Sequence, residues 1–220
     1  MCKNRVFLKL INFLIMGIFL FSSPSVYLAF ALAPSSKLKN VIKTIRAVDV
    51  ANSAPRVLVV HEEGLRVNMD VVYNHMYDKE SSSFHNIMPN YYFRYGENNE
   101  ISNGSFCGND VDSTRKMMRK YIIDSVKYWT EEFGIDGFRF DLMGILDIET
   151  INEIRNELDK IDKSIMLYGE GWNMPTILPD EEKAMMFNWD KMPSVGFFND
   201  RFRDVVKGKT ATDEADIKGF

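Results

Sequence analysis

Three short stretches of this sequence place ionisable side chains where strands are predicted to end. In Gly137-Phe138-Arg139-Phe140-Asp141, the arginine and the last aspartate are two residues apart. Residues at that spacing on a strand share a face, so guanidinium and carboxylate lie side by side. A neighbouring cation favours the ionised carboxylate and lowers its pKa, which suits a nucleophile. Glu170 stands between Gly169 and Gly171, with little bulk to block a substrate, and close to Tyr168 and Trp172. Partial desolvation by those rings would raise its pKa, as an acid catalyst needs. Two carboxyl groups with opposed environments suit glycoside hydrolysis, and a spacing of about 5–5.5 Å would mark the retaining mechanism with its covalent intermediate. The third stretch, Asp70-Val71-Val72-Tyr73-Asn74-His75, supplies one more acid and an imidazole. Each group also has a plain structural reading: an ion pair for Arg139 and Asp141, a solvated or capping role for Glu170, a loop hydrogen bond for His75. Their succession at three strand ends is what points to function.

The elements that would position them alternate. Leu65 to Val72 reads as a strand, with Leu65, Val67, Met69 and Val71 on one face. A loop of about forty residues follows, from Asn74 to Asp112, rich in Ser, Asn, Gly and Tyr; loops that long usually carry function or lack order. Ser113 is placed to cap a helix running to Phe133, with Met118, Tyr121, Ile122, Ser125, Trp129 and Phe133 at helical spacings, and Gly134 is placed to end it. Ile135 to Leu142 reads as a second strand. A helix over residues 148–158 follows, with Ile151, Ile154 and Leu158 on one side, and Ser164 to Gly169 is a third strand. Strand and helix in alternation predict an α/β fold with a parallel sheet, which either a doubly wound sheet or a barrel satisfies. Both put their sites at the carboxyl ends of the strands.

Composition sets wider bounds. The 220 residues carry 27 Lys and Arg against 31 Asp and Glu, a net charge of −4. No basic excess marks a nucleic-acid partner. Two cysteines, Cys2 and Cys107, exclude a disulfide framework. Aromatic residues make up 13% and serve both core packing and ligand stacking.

The N-terminus follows a targeting pattern. Lys3, Arg5 and Lys9 precede an apolar stretch from Leu10 to Phe21, and small residues at Ala29, Ala31 and Ala33 follow. Residues 1–33 are therefore expected to be a secretory signal peptide, with an uncleaved membrane anchor as the alternative. Export would place the protein outside the cell or at its surface, and a membrane would be met only through this segment. Without it the chain would be cytoplasmic. Residues 34–61 fit either a linker or a helix over 36–50, and residues 62–220 form the expected catalytic region.

The three strand-end stretches resemble, in order, the first three signature regions of the α-amylase clan, glycoside hydrolase family thirteen. Pro89 to Tyr95, Ser102-Asn103-Gly104, Cys107 to Val111, Phe138 to Gly144 and Gly196 to Arg201 narrow the likeness to type I pullulanases, the starch-debranching enzymes. It runs from about residue 62 to 207. The resemblance implies part of a (β/α)₈ TIM barrel, about strands three to six with their crossover helices. It implies hydrolysis of α-1,6-glucosidic bonds in pullulan or branched α-glucans by double displacement. Carried over by position, Asp141 is the nucleophile and Glu170 the acid/base. Arg139 holds Asp141 ionised, Asp70 and His75 line the subsite of the reacting sugar, and Tyr73 and Trp172 either stack on sugar or pack in the core. Some clan members bind calcium near Asn74, but too few further ligands are identifiable to predict a metal or other cofactor.

The sequence departs from that pattern in three ways. No His-Asp pair follows Glu170, where the clan has a seventh-strand carboxylate. Residues 34–61 do not resemble the family. Asn68 takes a strand position where an apolar side chain is expected. A full barrel takes about 250 residues, and only three or four strands are readable. These departures predict a truncated or rearranged product with impaired hydrolysis, or an inactive remnant that at most binds α-glucan.

Overall fold

A computed structural model describes residues 60–62 and 64–207. The expected signal segment, the helix over 36–50 and the 34–61 segment short of Val60 lie outside the described residues. In chain order the elements are β1 (Asn68–Val71), α1 (Ser83–Ile87), α2 (Lys116–Phe133), β2 (Gly137–Phe140), α3 (Ile148–Ile161), β3 (Met166–Gly169), β4 (Gly196–Phe197) and α4 (Asp200–Lys207).

The strands hydrogen-bond in the order β1-β2-β3-β4, every pair parallel. A doubly wound sheet reverses its strand order at a switch point. This one advances in a single direction, as the wall of a barrel does, and among the described residues it is an open arc rather than a closed ring. Register sets Asp70 beside Arg139 and Arg139 beside Tyr168, so one face of the arc collects polar groups. The other face packs on the helices: Val67, Met69, Val71, Phe138, Phe140 and Leu167 join Ile122 and Val126 of α2 and Ile151, Ile154 and Leu158 of α3 in one buried cluster. Each strand thus alternates, as a half-wrapped strand must.

The strands are shorter than the sequence patterns predict, because only their central residues meet a partner ladder. Helix α2 differs more. Its buried stripe is Met118, Ile122, Val126 and Thr130, while Tyr121 lies at the surface and Trp129 and Phe133 are half-buried. Ser113 does not cap it. Arg115 holds that position without a side-chain bond, and Ser113 Oγ instead donates to the carboxylate of Asp147 and accepts from its backbone N–H at 3.0 Å. Asp147 caps α3 through the N–H of Thr150. Gly134 ends α2 as expected, at φ 67°, a conformation that costs a side-chain-bearing residue more.

Asn68 is buried on the polar face, where its Nδ2 donates to the Tyr168 hydroxyl at 3.4 Å. Its register partner is Gly137, and a Cβ there would meet Asn68 Oδ1 at 2.3 Å. The glycine makes room for the polar residue that departs from the strand pattern.

Candidate active site

Asp141 and Glu170 sit one step past the last residues of β2 and β3. Their backbone N–H groups donate to Val71 and Phe140 carbonyls, each at 3.0 Å, so the ladder still fixes both. Their side chains converge on one guanidinium. Arg139 Nη1 donates to Asp70 Oδ1 at 2.7 Å and to Asp141 Oδ1 at 2.9 Å, while Nη2 stands 2.7 Å from Glu170 Oε1. The carboxylates of three neighbouring strands therefore share one cation on one side of the sheet. Burial works against the Arg139 charge, but Asp70, Glu170 and Asp141 outweigh it and hold the proton more tightly than usual.

The expected environment of Glu170 needs correction. Its Oε1 is on Arg139, and its Oε2 accepts from the N–H of Leu142 at 3.3 Å. It is held by polar partners. Burial raises the Asp70 carboxyl to about 6, against the pull of Arg139 and with help from the charges of Asp141 and Glu170. A carboxyl whose folded pKa lies above its unfolded value of about 3.9 stabilises the fold below that value, and the contribution is lost as pH rises through 6. Asp70→Asn should therefore stabilise the fold at pH 8, by a free energy on the order of 2 kcal/mol, and raise its melting temperature. The gap should close by pH 4, where the parent carboxyl is also neutral. Thermal unfolding of both proteins at the two pH values checks this.

His75 meets the cluster through its neighbour. Its Nδ1 pairs with Oδ1 of Asn74, and Asn74 Nδ2 donates to the backbone oxygen of Asp141 at 2.7 Å and to Oδ2 at 3.1 Å. Burial lowers the His75 pKa, opposed by the charges of Asp141 and Asp110. Asn74 is fully buried and spans the gap between imidazole and carboxylate. Sequence reasoning gave it no such role, although its place between Tyr73 and His75 was the signal. Among the described residues no group of three His, Cys, Asp or Glu is placed to hold a metal ion.

Tyr73 is not brought to this cluster. Its hydroxyl pairs with Ser125 Oγ at 2.7 Å on α2, and its ring meets Tyr121 and Phe140. The core alternative holds for it, because Tyr73 follows Val71 on the helix-facing side of the alternation. Trp172 is half-buried at the site end, with the Arg203 guanidinium 5.7 Å from its ring centroid. Phe198, just past β4, lies 5.6 Å from the Arg139 guanidinium and against Tyr168. Neither Arg203 nor Phe198 was predicted, since both sit beyond a two-residue strand with no readable period.

The loops after β2 and β3 interlock. Gly144 N–H donates to the Glu170 carbonyl at 3.2 Å, and a Cβ on Gly144 would lie 1.9 Å from the Trp172 backbone oxygen. Gly144→Ala must push the Glu170–Trp172 segment away, so a loss of about 1–3 kcal/mol is expected, read as a lowered urea midpoint.

The long loop is ordered by buried polar contacts. Arg94 Nη1 donates to the Ile145 carbonyl at 2.9 Å and to Thr176 Oγ1 at 2.7 Å. Asp110 accepts from Ser102 Oγ at 2.6 Å and from the N–H groups of Gly104 and Ser105 at 2.7 and 2.8 Å. Arg94 thereby ties the middle of the loop to the segments that follow β2 and β3, while Asp110 gathers the loop on itself.

A sheet wound one way, with paired acids at its carboxyl edge, is the catalytic architecture of a (β/α)-barrel glycoside hydrolase. Comparison with known proteins narrows this. The chain is 52% identical over 151 residues to a pullulanase of Bacillus subtilis, covering 69% of this chain and 21% of that one. It is 39% identical over 160 residues to chloroplastic pullulanase 1 of Arabidopsis thaliana, covering 66% and 16%. The crystal structure of a pullulanase from Paenibacillus barengoltzii, in complex with maltohexaose and α-cyclodextrin, superposes with a TM-score of 0.73 at 51% identity, covering 76% of this chain and 25% of that one. No protein-family model matches. The chain belongs to the pullulanase family. It spans about a fifth of the length of the curated relatives it matches.

Proposed function

We propose that this site hydrolyses α-1,6-glucosidic bonds in pullulan or branched α-glucans with retention of configuration. The observation that carries it is the convergence of Asp141 and Glu170 on Arg139, which sets two acids on one side of the sheet at adjacent strand ends. Asp141, held by Arg139 and Asn74, attacks the anomeric carbon. Glu170 leaves its contact with Arg139, takes a proton from solvent and passes it to the departing glycosidic oxygen; it later takes a proton from the water that displaces Asp141 from the anomeric carbon. Asp70 and His75 hold the hydroxyls of the reacting sugar, and Trp172 offers a ring face to a neighbouring one. One relative supports the substrate class: solved structures of the Paenibacillus barengoltzii pullulanase hold maltohexaose with α-cyclodextrin and, in a point mutant, maltotriose. The N-terminal pattern supports export, where a polymeric glucan would be met.

Incubating the full chain with pullulan and following product anomers by proton NMR tests this. The α-anomer should appear first. A first-formed β-anomer would exclude double displacement. A second reading, glucan binding without hydrolysis, draws on the Glu170–Arg139 contact: an acid engaged with a guanidinium donates no proton until substrate displaces it. Binding of maltotetraose with no reducing-sugar release from pullulan would establish that reading instead.

A further inference from the structure

Phe106 sits in the left-handed region at φ 60° and is 73% exposed. A bulky residue there is strained, and an exposed ring adds no core packing in return. Strain of this kind persists where the surrounding structure imposes it, and it clusters at ligand-contacting positions. The loop around Phe106 does impose it. Phe106 N–H donates to the Asn103 carbonyl at 3.2 Å, Gly108 N–H to Asn103 Oδ1 at 2.7 Å, and Ser105 Oγ to the Asn109 carbonyl at 2.7 Å.

That loop joins the segments that follow β1 and β3. On one side Asn109 brackets Met76: its Oδ1 accepts from the Met76 N–H at 2.9 Å, and its Nδ2 donates to the Met76 carbonyl at 2.8 Å. Met76 follows His75 directly. On the other side Ser102 Oγ accepts from Ile177 N–H at 2.9 Å, and Gly104 lies so close to Thr176 that a Cβ would meet its N atom at 2.6 Å. Residues 176 and 177 belong to the segment that carries Glu170 and Trp172. The loop tip therefore rides on the rim at the carboxyl ends of the strands.

We infer that Phe106 is a specificity-determining residue that stacks on the apolar face of a glucose unit of the α-glucan. This rests on the debranching reading above. The affinity of the full chain for maltotetraose, measured by calorimetry, tests it alongside the melting temperature. Phe106→Gly should weaken binding about fivefold, in line with the loss of one ring contact, and should raise the melting temperature by about 2–4 °C as the strain is released. Phe106→Trp should bind within about twofold of the parent, since a ring face remains. Equal affinity in Phe106→Gly and the parent would overturn the inference and leave the debranching reading intact. So would a fall in melting temperature, which would make the ring structural. A parent chain that takes up no maltotetraose would remove the debranching reading, and this inference with it.

Discussion

Asp141→Asn is expected to lower the rate of pullulan hydrolysis by about ten-thousand-fold, the scale on which a covalent catalyst's nucleophile is missed. The amide keeps the shape of the carboxylate, and the backbone oxygen of residue 141 still accepts from Asn74, so maltotetraose binding should change little. Glu170→Gln separates the two acids. It should slow glucosyl leaving groups severely, because these need a proton to depart, and it should spare the first step on a fluoride leaving group, which does not. Steady-state rates on pullulan and on an activated glucosyl fluoride distinguish the assignments. An Asp141→Asn protein that hydrolyses pullulan at the parent rate would show that this carboxylate does not attack.

Arg139→Met is expected to destabilise the fold by about 2–4 kcal/mol at pH 8, because three carboxylates lose the cation they share. Asp70, Asp141 and Glu170 all approach it within 3 Å. Their mutual repulsion is greatest with all three ionised, so the loss should shrink as the pH falls below the raised pKa of Asp70, about 6. Urea unfolding at pH 8 and pH 5 checks the sign. Arg139→Lys should recover only part of the loss. A single ammonium cannot span from Asp70 and Asp141 at Nη1 to Glu170 at Nη2.

The strand ends were legible because period-two alternation and a polar residue at the end of each apolar run are both local signals. The same is true of Gly134, and of the α3 stripe Ile151, Ile154 and Leu158. What stayed hidden depends on partners distant in sequence. Ser113 reads as a helix cap, yet it serves Asp147, 34 residues on. Tyr73 lies beside polar neighbours in sequence and faces α2 in space. The barrel-like winding, as opposed to a doubly wound sheet, is a matter of strand order, which periodicity does not encode. Glu170 shows the same limit. Its aromatic neighbours in sequence suggested desolvation, while the guanidinium that holds it comes from the adjacent strand, 31 positions earlier.

The anchoring of Arg94 has a consequence for how the chain assembles. Its partners Ile145 and Thr176 lie 51 and 82 residues downstream. On the ribosome, at roughly 5–20 residues per second, the arginine waits about 4–16 s before its last acceptor has been made. Through that interval the Asn74–Asp112 segment lacks its final clasp, which makes it the stretch where a protease or a chaperone would meet the nascent polypeptide. The rim of the candidate site is thus completed late, after β1, β2 and β3 beneath it have been made and before β4.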